Sequence, residues 1–354
     1  MSVPATFNAA LLNNVGERLV VGSRSLPPLD PGEVAIKVTA TAVNPVDWKI
    51  RDSGWFISTW PTVVGSDAAG EIAALAPDVS GFAVGDRVFF QGKLGHEDSC
   101  TFQQYCKMPA DLLSKTPRGI SDEQAAGIAL TTVAVLTGFY DTSGRGMPAP
   151  WDKGGDKAGQ GKAIVILGGA TSVGQHAIQF ARLSGYERIV TTASPNHREY
   201  LTGMGAHEVL DRHTVKPADF REALGGLPLD LVFDSPSLKE TQAQGVEVVR
   251  AVEARDSLVV TLMPVNDEVE KLGETGDFKV PVRFVLGIGS DPKLEYLSKP
   301  LAKHLGGEDG WVAKGLVRPN RVRVVDGGLG SLDGALEKLK AGVSGEKLVV
   351  RPHE

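Results

Sequence analysis

Residues 163–174 read AIVILGGATSVG, a run of five apolar residues followed by a turn that contains glycine. A continuous apolar run of this length is typical of a parallel strand that is buried on both faces. Beyond the turn, Val173, Ala177 and Ile178 recur at helical spacing, so the stretch predicts a strand, a tight turn and a helix. The N-terminus of a helix in this position attracts a phosphate through its N–H groups and its dipole. We therefore predict a dinucleotide-binding loop, with an ordinary strand–helix turn as the alternative.

The loop departs at one position from the usual G-x-G-x-x-G pattern, because Thr171 stands where the middle glycine is expected. We expect Gly169 to provide the tight turn and Gly174 to let the helix pack closely. Thr171, Ser172 and Val173 would then lie against the diphosphate.

Further strands and helices follow this loop and predict a doubly wound α/β domain over residues 136–289. The predicted strands are 188–193, 229–234 and 257–262, with a helix near 197–203. A Gly/Pro-rich stretch at 143–161 precedes them and predicts a surface loop.

The end of the second strand of this domain distinguishes NADPH from NADH. An NAD enzyme usually has a carboxylate there to bind the ribose 2′-hydroxyl, whereas this chain has Ser194. Ser194 can donate to a 2′-phosphate, and His197, Arg198 and Arg212 can add charge-assisted hydrogen bonds. The sequence thus favours NADPH, and the alternative is that these are solvated loop residues.

Residues 1–135 contain short strand-like runs separated by turns and predict a β-barrel-like domain, which residues 290–354 rejoin. The predicted strands include 34–38, 70–75 and 86–90, and those of the tail are 321–325 and 347–350. Ser121 and Gln124 have the spacing of a helix capping box, so a helix of small residues is expected to begin at 121 and continue.

Composition narrows the class of protein. The length of 354 residues, with 42% hydrophobic and 23% charged residues, predicts two globular domains. The formal charge of −6 without a basic stripe argues against nucleic acid as a partner. No apolar run is long enough to span a membrane, and the first residues do not resemble a secretory signal, so we expect a cytoplasmic protein. Cys100 and Cys106 are too few for a disulfide framework.

Several motifs together resemble the medium-chain dehydrogenase/reductase superfamily. They read AVNPVDWK at 42–49, VGSDAAG at 64–70, VGDRV at 84–88, GGATSVG at 168–174 and SGEKLVV at 344–350. The resemblance covers essentially the whole chain and implies a GroES-like β-barrel catalytic domain beside a Rossmann-type domain. Within the superfamily, residues 44–49 and 193–195 are most similar to fungal trans-acting enoyl reductases of polyketide pathways and their quinone-reductase-like relatives.

The resemblance also bears on zinc. Zinc alcohol dehydrogenases of the superfamily have a cysteine where this chain has Asn44 or Pro45, and Gly-His-Glu where it has residues 65–67, Gly-Ser-Asp. Without that thiolate and imidazole the usual zinc ligands are missing, so no metal is expected. The Gly-His-Glu at 95–97 lies about thirty residues too late and is interpreted as a loop.

The resemblance implies an activity and candidate residues for it. The expected reaction is hydride transfer from NADPH to the β-carbon of an enoyl thioester or enone. Lys49 is the first candidate to stabilise the developing charge, and Asn44 and Thr132 match other catalytic positions. Leu286 matches a position that contacts the nicotinamide.

Two alternative functions, a partner and an oligomeric state also have to be considered. A quinone or general enone reductase is the alternative enzyme, and an NADPH-binding redox sensor is the alternative without catalysis. A polyketide synthase is a candidate partner, because the similar proteins assist one. Pro281 interrupts the strand through which relatives pair, and this favours a monomer.

Overall fold

A computed structural model describes residues 3–354, which form two compact units. The first unit consists of residues 3–130, 288–315 and 319–354, and the second of residues 131–287 and 316–318. The sequence placed the boundaries at 135/136 and 289/290 and gave no sign that residues 316–318 join the second unit.

The strands of the described residues are β1 (Phe7–Leu12), β2 (Val20–Arg24), β3 (Glu33–Ala42), β4 (Thr62–Val63), β5 (Asp67–Leu75), β6 (Arg87–Gln91), β7 (Tyr105–Pro109), β8 (Ser114–Lys115), β9 (Ala163–Leu167), β10 (Arg188–Ala193), β11 (Glu208–Asp211), β12 (Leu229–Asp234), β13 (Leu258–Thr261), β14 (Val282–Phe284), β15 (Arg321–Val325) and β16 (Glu346–Val350). The α-helices are α1 (Pro45–Ser53), α2 (Asp122–Ala125), α3 (Ala129–Tyr140), α4 (Ser172–Leu183), α5 (Arg198–Thr202), α6 (Phe220–Ala223), α7 (Lys239–Ala251), α8 (Asp267–Glu274), α9 (Glu295–Leu305) and α10 (Leu332–Ala341).

Strand β3 organises the larger sheet of the first unit, because it pairs with β5, β7 and β16. The path through that sheet is β15-β16-β3-β5-β6-β8, and a smaller sheet has the order β2-β1-β4. Strand β16 pairs antiparallel with β3 through Val349 and Ala42, so the end of the chain completes a sheet begun near its start. The predicted return of the C-terminal strand is confirmed.

The second unit contains a parallel sheet with the strand order β11-β10-β9-β12-β13-β14. Numbered from β9, this is the order 3-2-1-4-5-6 of a doubly wound dinucleotide fold. All five residues of β9 are buried, as their unbroken apolar character predicted. The predicted α/β fold class is confirmed, with an antiparallel GroES-like unit and a Rossmann-type unit.

The helix expected from residue 121 is shorter than predicted. The capping box is present, since the Gln124 N–H donates to Ser121 Oγ at 3.3 Å and the Ser121 N–H donates to Gln124 Oε1 at 3.0 Å. Helix α2 nevertheless ends at Ala125, and a turn separates it from α3. Gly127 lies in that turn, where a Cβ would be 3.0 Å from Lys347 Cγ, so packing against this lysine favours glycine at the cost of helix propensity.

The stretch 143–161 has no strand or α-helix, but it is not simply a surface loop. Met147 and Ala149 are buried, and Met147 Sδ lies 3.1 Å from the hydroxyl of Tyr186. Arg145 donates to Asp230 Oδ1 at 2.7 Å. These buried contacts fix a segment whose composition alone suggested exposure.

Candidate cofactor and substrate sites

The turn between β9 and α4 requires glycine at three positions. Gly168 has a φ of +72°, so Gly168, and not Gly169 as the sequence suggested, provides the tight turn. A Cβ on Gly169 would lie 2.1 Å from Thr191 Oγ1, and one on Gly174 would lie 2.3 Å from the carbonyl oxygen of Gly168. Any side chain at these positions would push the turn away from the sheet.

Thr171 caps helix α4, which accounts for its place in the motif. Its Oγ1 accepts the N–H of Gly174 at 2.9 Å and donates to Ser235 Oγ at 3.0 Å. Ser235 in turn donates to the carbonyl oxygen of Leu167 at 2.6 Å. Ser172 and Val173 in the first turn of the helix are half-buried. The loop is thus held in shape from both sides, with the positive end of the helix dipole at its opening.

This loop lies where the strand order reverses. Strand β9 pairs with β10 on one side and with β12 on the other. The chain adds β10 and β11 on one side of β9, and then adds β12, β13 and β14 on the opposite side. In open α/β sheets this reversal creates the crevice in which ligands bind. The loop therefore lies at the position where a dinucleotide is expected.

Two of the predicted 2′-phosphate residues lie at the ends of adjacent strands. Strand β10 ends at Ala193 opposite Asp211 of β11, so Ser194 and Arg212 leave the sheet side by side. The N–H of Arg212 donates to the carbonyl oxygen of Ala193 at 3.1 Å, and its exposed guanidinium donates to His213 Nε2 at 3.2 Å.

The other two predicted residues are placed differently. Arg198 is exposed and forms an ion pair with Glu208, with Nη1 and Oε1 3.0 Å apart. His197 is 6% exposed and closes the 3-10 turn at 195–197. The charge of Arg198 is already balanced by a carboxylate, whereas that of Arg212 faces a histidine.

Sequence reasoning missed three residues of this region: Gln175, Tyr200 and Arg318. The hydroxyl of Tyr200 donates to Gln175 Oε1 at 3.1 Å, and Gln175 Nε2 donates to the carbonyl oxygen of Ala170 in the loop. Arg318 belongs to the second unit, as part of the segment 316–318. Its Nη1 lies 3.3 Å from the carbonyl oxygen of Gly203 in the same unit. No local pattern could have associated Arg318 with Gly203, since 115 residues separate them.

Helix α3 contains the predicted Thr132. This side chain has no exposed surface, and the adjacent Thr131 has its Oγ1 2.8 Å from Nδ1 of buried His176. Leu286 is 46% exposed, next to Gly287, where a Cβ would be 2.9 Å from Cα of Ala134. The close approach of Gly287 to α3 fixes the backbone that presents Leu286.

The first unit contains a buried polar cluster at the start of α1. Asp47 accepts the N–H of Asn44 at 2.7 Å through Oδ2, and the hydroxyl of Ser66 at 2.7 Å through Oδ1. Lys347 on β16 donates to Asn44 Oδ1, and its Nζ lies 3.7 Å from Asp67 Oδ2. We call these five residues the Asp47–Lys347 cluster. Every member is at most 3% exposed.

Burial sets the protonation of the cluster. Loss of hydration raises the pKa of Asp47 to about 7 and that of Asp67 to about 7, against the opposing effect of the Lys347 charge. Burial also lowers the pKa of Lys347. Two carboxyl groups and one ammonium group therefore share a small volume from which water is excluded.

Lys49 lies outside this cluster, although it is only two residues from Asp47. Residues two apart on a helix do not face the same side, so α1 directs Asp47 into the cluster and Lys49 elsewhere. Lys49 is half-buried, with Nζ 5.5 Å from the centre of the Trp48 ring, and burial lowers its pKa.

The fold and the loop define a class: an oxidoreductase with a GroES-like unit and a nicotinamide-dinucleotide unit. Residues 30–118 match the alcohol dehydrogenase GroES-like domain family, and residues 172–255 match the zinc-binding dehydrogenase family. The dehydrogenase azaJ of Aspergillus niger is 30% identical to this chain, with 98% of this chain and 99% of azaJ covered. The trans-enoyl reductase himH of Aspergillus japonicus is 31% identical, with 94% and 93% covered.

Solved structures share the fold. The quinone oxidoreductase from Coxiella burnetii superposes with a TM-score of 0.72 at 23% identity, with 98% of this chain and 99% of that chain covered. The chain belongs to the medium-chain dehydrogenase/reductase superfamily, as its motifs predicted.

The residues of the Asp47–Lys347 cluster do not fit a catalytic zinc ion. Asn44 and Ser66 offer neither thiolate nor imidazole, and the ammonium group of Lys347 already donates to the Asn44 side chain. Cys100 is buried, and burial raises the pKa of its thiol to about 12, which disfavours the thiolate that zinc binds. Within residues 3–354, no group of three or more His, Cys, Asp or Glu side chains is arranged to hold a metal ion.

No helix within residues 3–354 has both the length and the apolar character needed to cross a membrane.

Proposed function

We propose that this chain is an NADPH-dependent, zinc-independent reductase of polarised carbon–carbon double bonds, with an α,β-unsaturated thioester as its acceptor. The observation that carries the proposal is the hydrogen bond from the ammonium group of Lys347 to Asn44 Oδ1. The resemblance places the cysteine ligand of zinc-dependent relatives at position 44 or 45. Without a Lewis acid, oxidation of an alcohol loses its main catalytic device. A conjugated alkene needs less assistance, because its own carbonyl group takes up the developing charge.

The dinucleotide would be held by the turn and first helical residues, with its diphosphate at Gly169, Thr171 and Gly174. Ser194 and Arg212 would bind the 2′-phosphate, and the absence of a carboxylate directly after β10 supports NADPH over NADH. When bound, the reduced nicotinamide supplies a hydride. Leu286, with the backbone around it fixed against α3, would contact the nicotinamide ring.

Lys49 is the group proposed to act on the substrate. If a hydride is added at the β-carbon, the π pair of the carbon–carbon double bond becomes a double bond between the α-carbon and the carbonyl carbon. The π pair of the carbonyl group then moves to its oxygen, which gives an enolate. An ammonium donor aimed at that oxygen stabilises the transition state more than the ground state. The α-carbon then takes a proton from water. Asn44 and Asp47 would act through α1, whose first turn they fix, and not on the substrate itself.

The similarity to the trans-enoyl reductase himH supports an enoyl group as the acceptor. The motifs at 44–49 and 193–195 are the basis for proposing a polyketide synthase as the source of the unsaturated thioester. On this proposal the chain acts on an acyl group built elsewhere and returns it saturated.

The decisive experiment is a comparison of acceptors with one enzyme preparation. We expect oxidation of NADPH in the presence of crotonyl-CoA, with saturated butyryl-CoA as the product, and much slower oxidation with 1,4-benzoquinone. Treatment with a strong chelator should leave the rate unchanged. Faster turnover of the quinone, or a rate that zinc restores after chelation, would contradict the proposal.

A further inference from the structure

The segment that follows α1, residues 54–61, exposes three large aromatic side chains. Trp55 is 43% exposed, Phe56 is 40% exposed and Trp60 is 36% exposed. Val15, which is 46% exposed, extends the same surface, because a Cβ at Gly54 would lie 3.5 Å from Val15 Cγ2 and 3.7 Å from Trp60 Cζ2. We call the three rings and Val15 the aromatic surface. Large apolar side chains that are exposed close together, rather than singly, are typical of surfaces that bind a ligand or a partner.

The aromatic surface lies on backbone that is fixed in place. Gly54 has a φ of +74° and donates to the carbonyl oxygen of Ile50 at 2.8 Å, and Ile57 packs against the core of the first unit. The carbonyl oxygen of Phe56 would be only 2.4 Å from a Cβ at Gly95, so the two segments are in close contact. Phe56 itself has a φ of +66°, a strained conformation for a bulky residue. The fold therefore maintains Phe56 at the surface against a local energetic cost.

Hydrogen bonds join this segment to the candidate catalytic lysine. Ser53 Oγ donates to the carbonyl oxygen of Lys49 at 2.6 Å and accepts the N–H of Trp55 at 3.3 Å. Four helical steps, from Lys49 to Ser53, and two further steps, through Gly54, lead to Trp55, so the Cα atoms of Lys49 and Trp55 are at most about 13 Å apart. A molecule whose carbonyl group is at Lys49 can therefore extend onto Trp55 if the rest of it is a chain.

The segment that carries the three rings has no charged residue, which restricts what can bind to it. No Asp, Glu, Lys or Arg occurs from Ser53 to Ser66, so the segment offers no partner for a phosphate or for an acidic carrier protein. Flat aromatic side chains and valine bind hydrocarbon by excluding water.

We infer that the aromatic surface binds the hydrocarbon chain of the acceptor, which makes medium-chain α,β-unsaturated acyl thioesters the preferred substrate class. The inference rests on the proposed function for the position of the carbonyl group at Lys49. Its central requirement is that affinity and rate increase with chain length, and that this increase comes from Trp55 and Trp60.

The test compares the W55A/W60A double variant with wild type on crotonyl-CoA and on the α,β-unsaturated decenoyl-CoA. We expect kcat/KM for decenoyl-CoA to fall about tenfold, because the variant loses most of the apolar contact, while that for crotonyl-CoA changes less than about twofold. Y296A is the matched control, since Tyr296 is an aromatic residue of the same unit that is 57% exposed. It should retain the wild-type chain-length preference.

A second readout does not depend on turnover. Calorimetry with saturated butyryl-CoA and decanoyl-CoA should give a tighter dissociation constant for the longer chain in wild type, and similar constants in W55A/W60A. If no acceptor is reduced but this difference in binding is lost in the variant, the proposed function fails and the surface is still a hydrocarbon site.

Two results would overturn the inference. One is reduction of unsaturated thioesters with an unchanged chain-length preference in W55A/W60A, which leaves the proposed function intact. The other is a wild-type dimer that W55A/W60A converts to a monomer in light scattering, because the aromatic surface would then be covered by a second copy of the chain.

Discussion

At the residue scale, Lys49 has the most demanding role in the proposed reaction. We expect K49A to slow hydride transfer by about 100-fold, because removal of one donor to a developing oxyanion typically has this effect. The measurement is single-turnover oxidation of NADPH with crotonyl-CoA. The lowered pKa of Lys49 implies that the ammonium form is lost below the ordinary lysine range, so the wild-type rate should fall at alkaline pH.

K49R is the companion variant for this prediction, since it keeps a positive charge at the same position. It should recover part of the rate and move the alkaline fall to higher pH. A hydride-transfer rate in K49A equal to that of wild type would remove Lys49 from the mechanism.

The proposed preference for NADPH depends on residues just beyond the ends of β10 and β11. We expect S194A/R212A to raise the KM for NADPH about 10-fold to 100-fold while that for NADH changes little, because only NADPH has a phosphate at the 2′-position. R198A is the control, since the exposed Arg198 is ion-paired with Glu208 and should matter less. Equal losses with both cofactors in S194A/R212A would argue against this assignment.

At the scale of single elements, the turn between β9 and α4 is a place where one methyl group should matter. G169A would place its Cβ 2.1 Å from Thr191 Oγ1, so the turn must move and with it the first turn of α4. We expect a loss of at least tenfold in NADPH affinity, measured by fluorescence titration, in a protein that still folds. G330A is a suitable control, because a Cβ at Gly330 meets nothing within 4 Å. Wild-type affinity in G169A would mean that the turn does not hold the diphosphate.

The elements also differ in how far the sequence predicted them. The strand, turn and helix around residues 163–174 were predicted because each depends on a local pattern: an apolar run, glycine and helical spacing. The prediction that Gly169 provides the tight turn was wrong, because the sequence pattern does not reveal whether Gly168 or Gly169 adopts the positive φ. The interruption between α2 and α3 was missed, and the close contact of Gly127 in that turn with Lys347 could not be predicted because the two residues are distant in the sequence.

Long-range partners account for most of what the sequence did not give about the sites. Lys347 and Asn44 are 303 residues apart, and Ser235 is 64 residues from Thr171. Both contacts arise from strand order, which places β16 beside β3 and β12 beside β9. The residue types at 44 and 66 indicated the loss of zinc ligands, but only the structure shows a lysine among them.

At the scale of the whole molecule, the Asp47–Lys347 cluster joins the last strand to the first helix. We expect K347M to destabilise the protein by about 3 to 5 kcal/mol, because it leaves buried carboxyl groups without their cation. K340M should cost less than about 1 kcal/mol, since Lys340 pairs with Asp52 at the surface. Chemical denaturation measures both, and a K347M protein as stable as K340M would contradict this role.

The same cluster should make stability depend on pH. The pKa of Asp67 is raised to about 7 in the folded state, so between the unfolded value near 3.8 and about 7 the folded state binds more protons. This contribution is therefore fully present at low pH and is lost as the pH rises through 7. The lowered pKa of Lys347 has the opposite effect on stability. Between its folded pKa and the unfolded value of 10.5 the folded state binds fewer protons, so this contribution to stability increases as the pH rises.

D67N isolates the carboxyl group, since asparagine keeps an oxygen to accept the N–H of Leu130. We expect the decrease of unfolding free energy between about pH 4 and about pH 7 to become shallower by up to about 1.4 kcal/mol per pH unit, which corresponds to one proton. Denaturation curves at several pH values provide the test. Parallel pH profiles for D67N and wild type would mean that Asp67 does not titrate in this range.

The segment 316–318 matters for the design of a fragment that contains only the second unit. The carbonyl oxygen of Leu316 accepts from Arg182, and the N–H of Arg318 donates to Gln179 Oε1 at 2.7 Å, so α4 depends on three residues that follow it by more than 130 positions. A recombinant fragment spanning 131–287 would lack them. Helix α4 would then lack its hydrogen-bond partners Leu316 and Arg318. A fragment designed to bind the cofactor should therefore include residues 316–318.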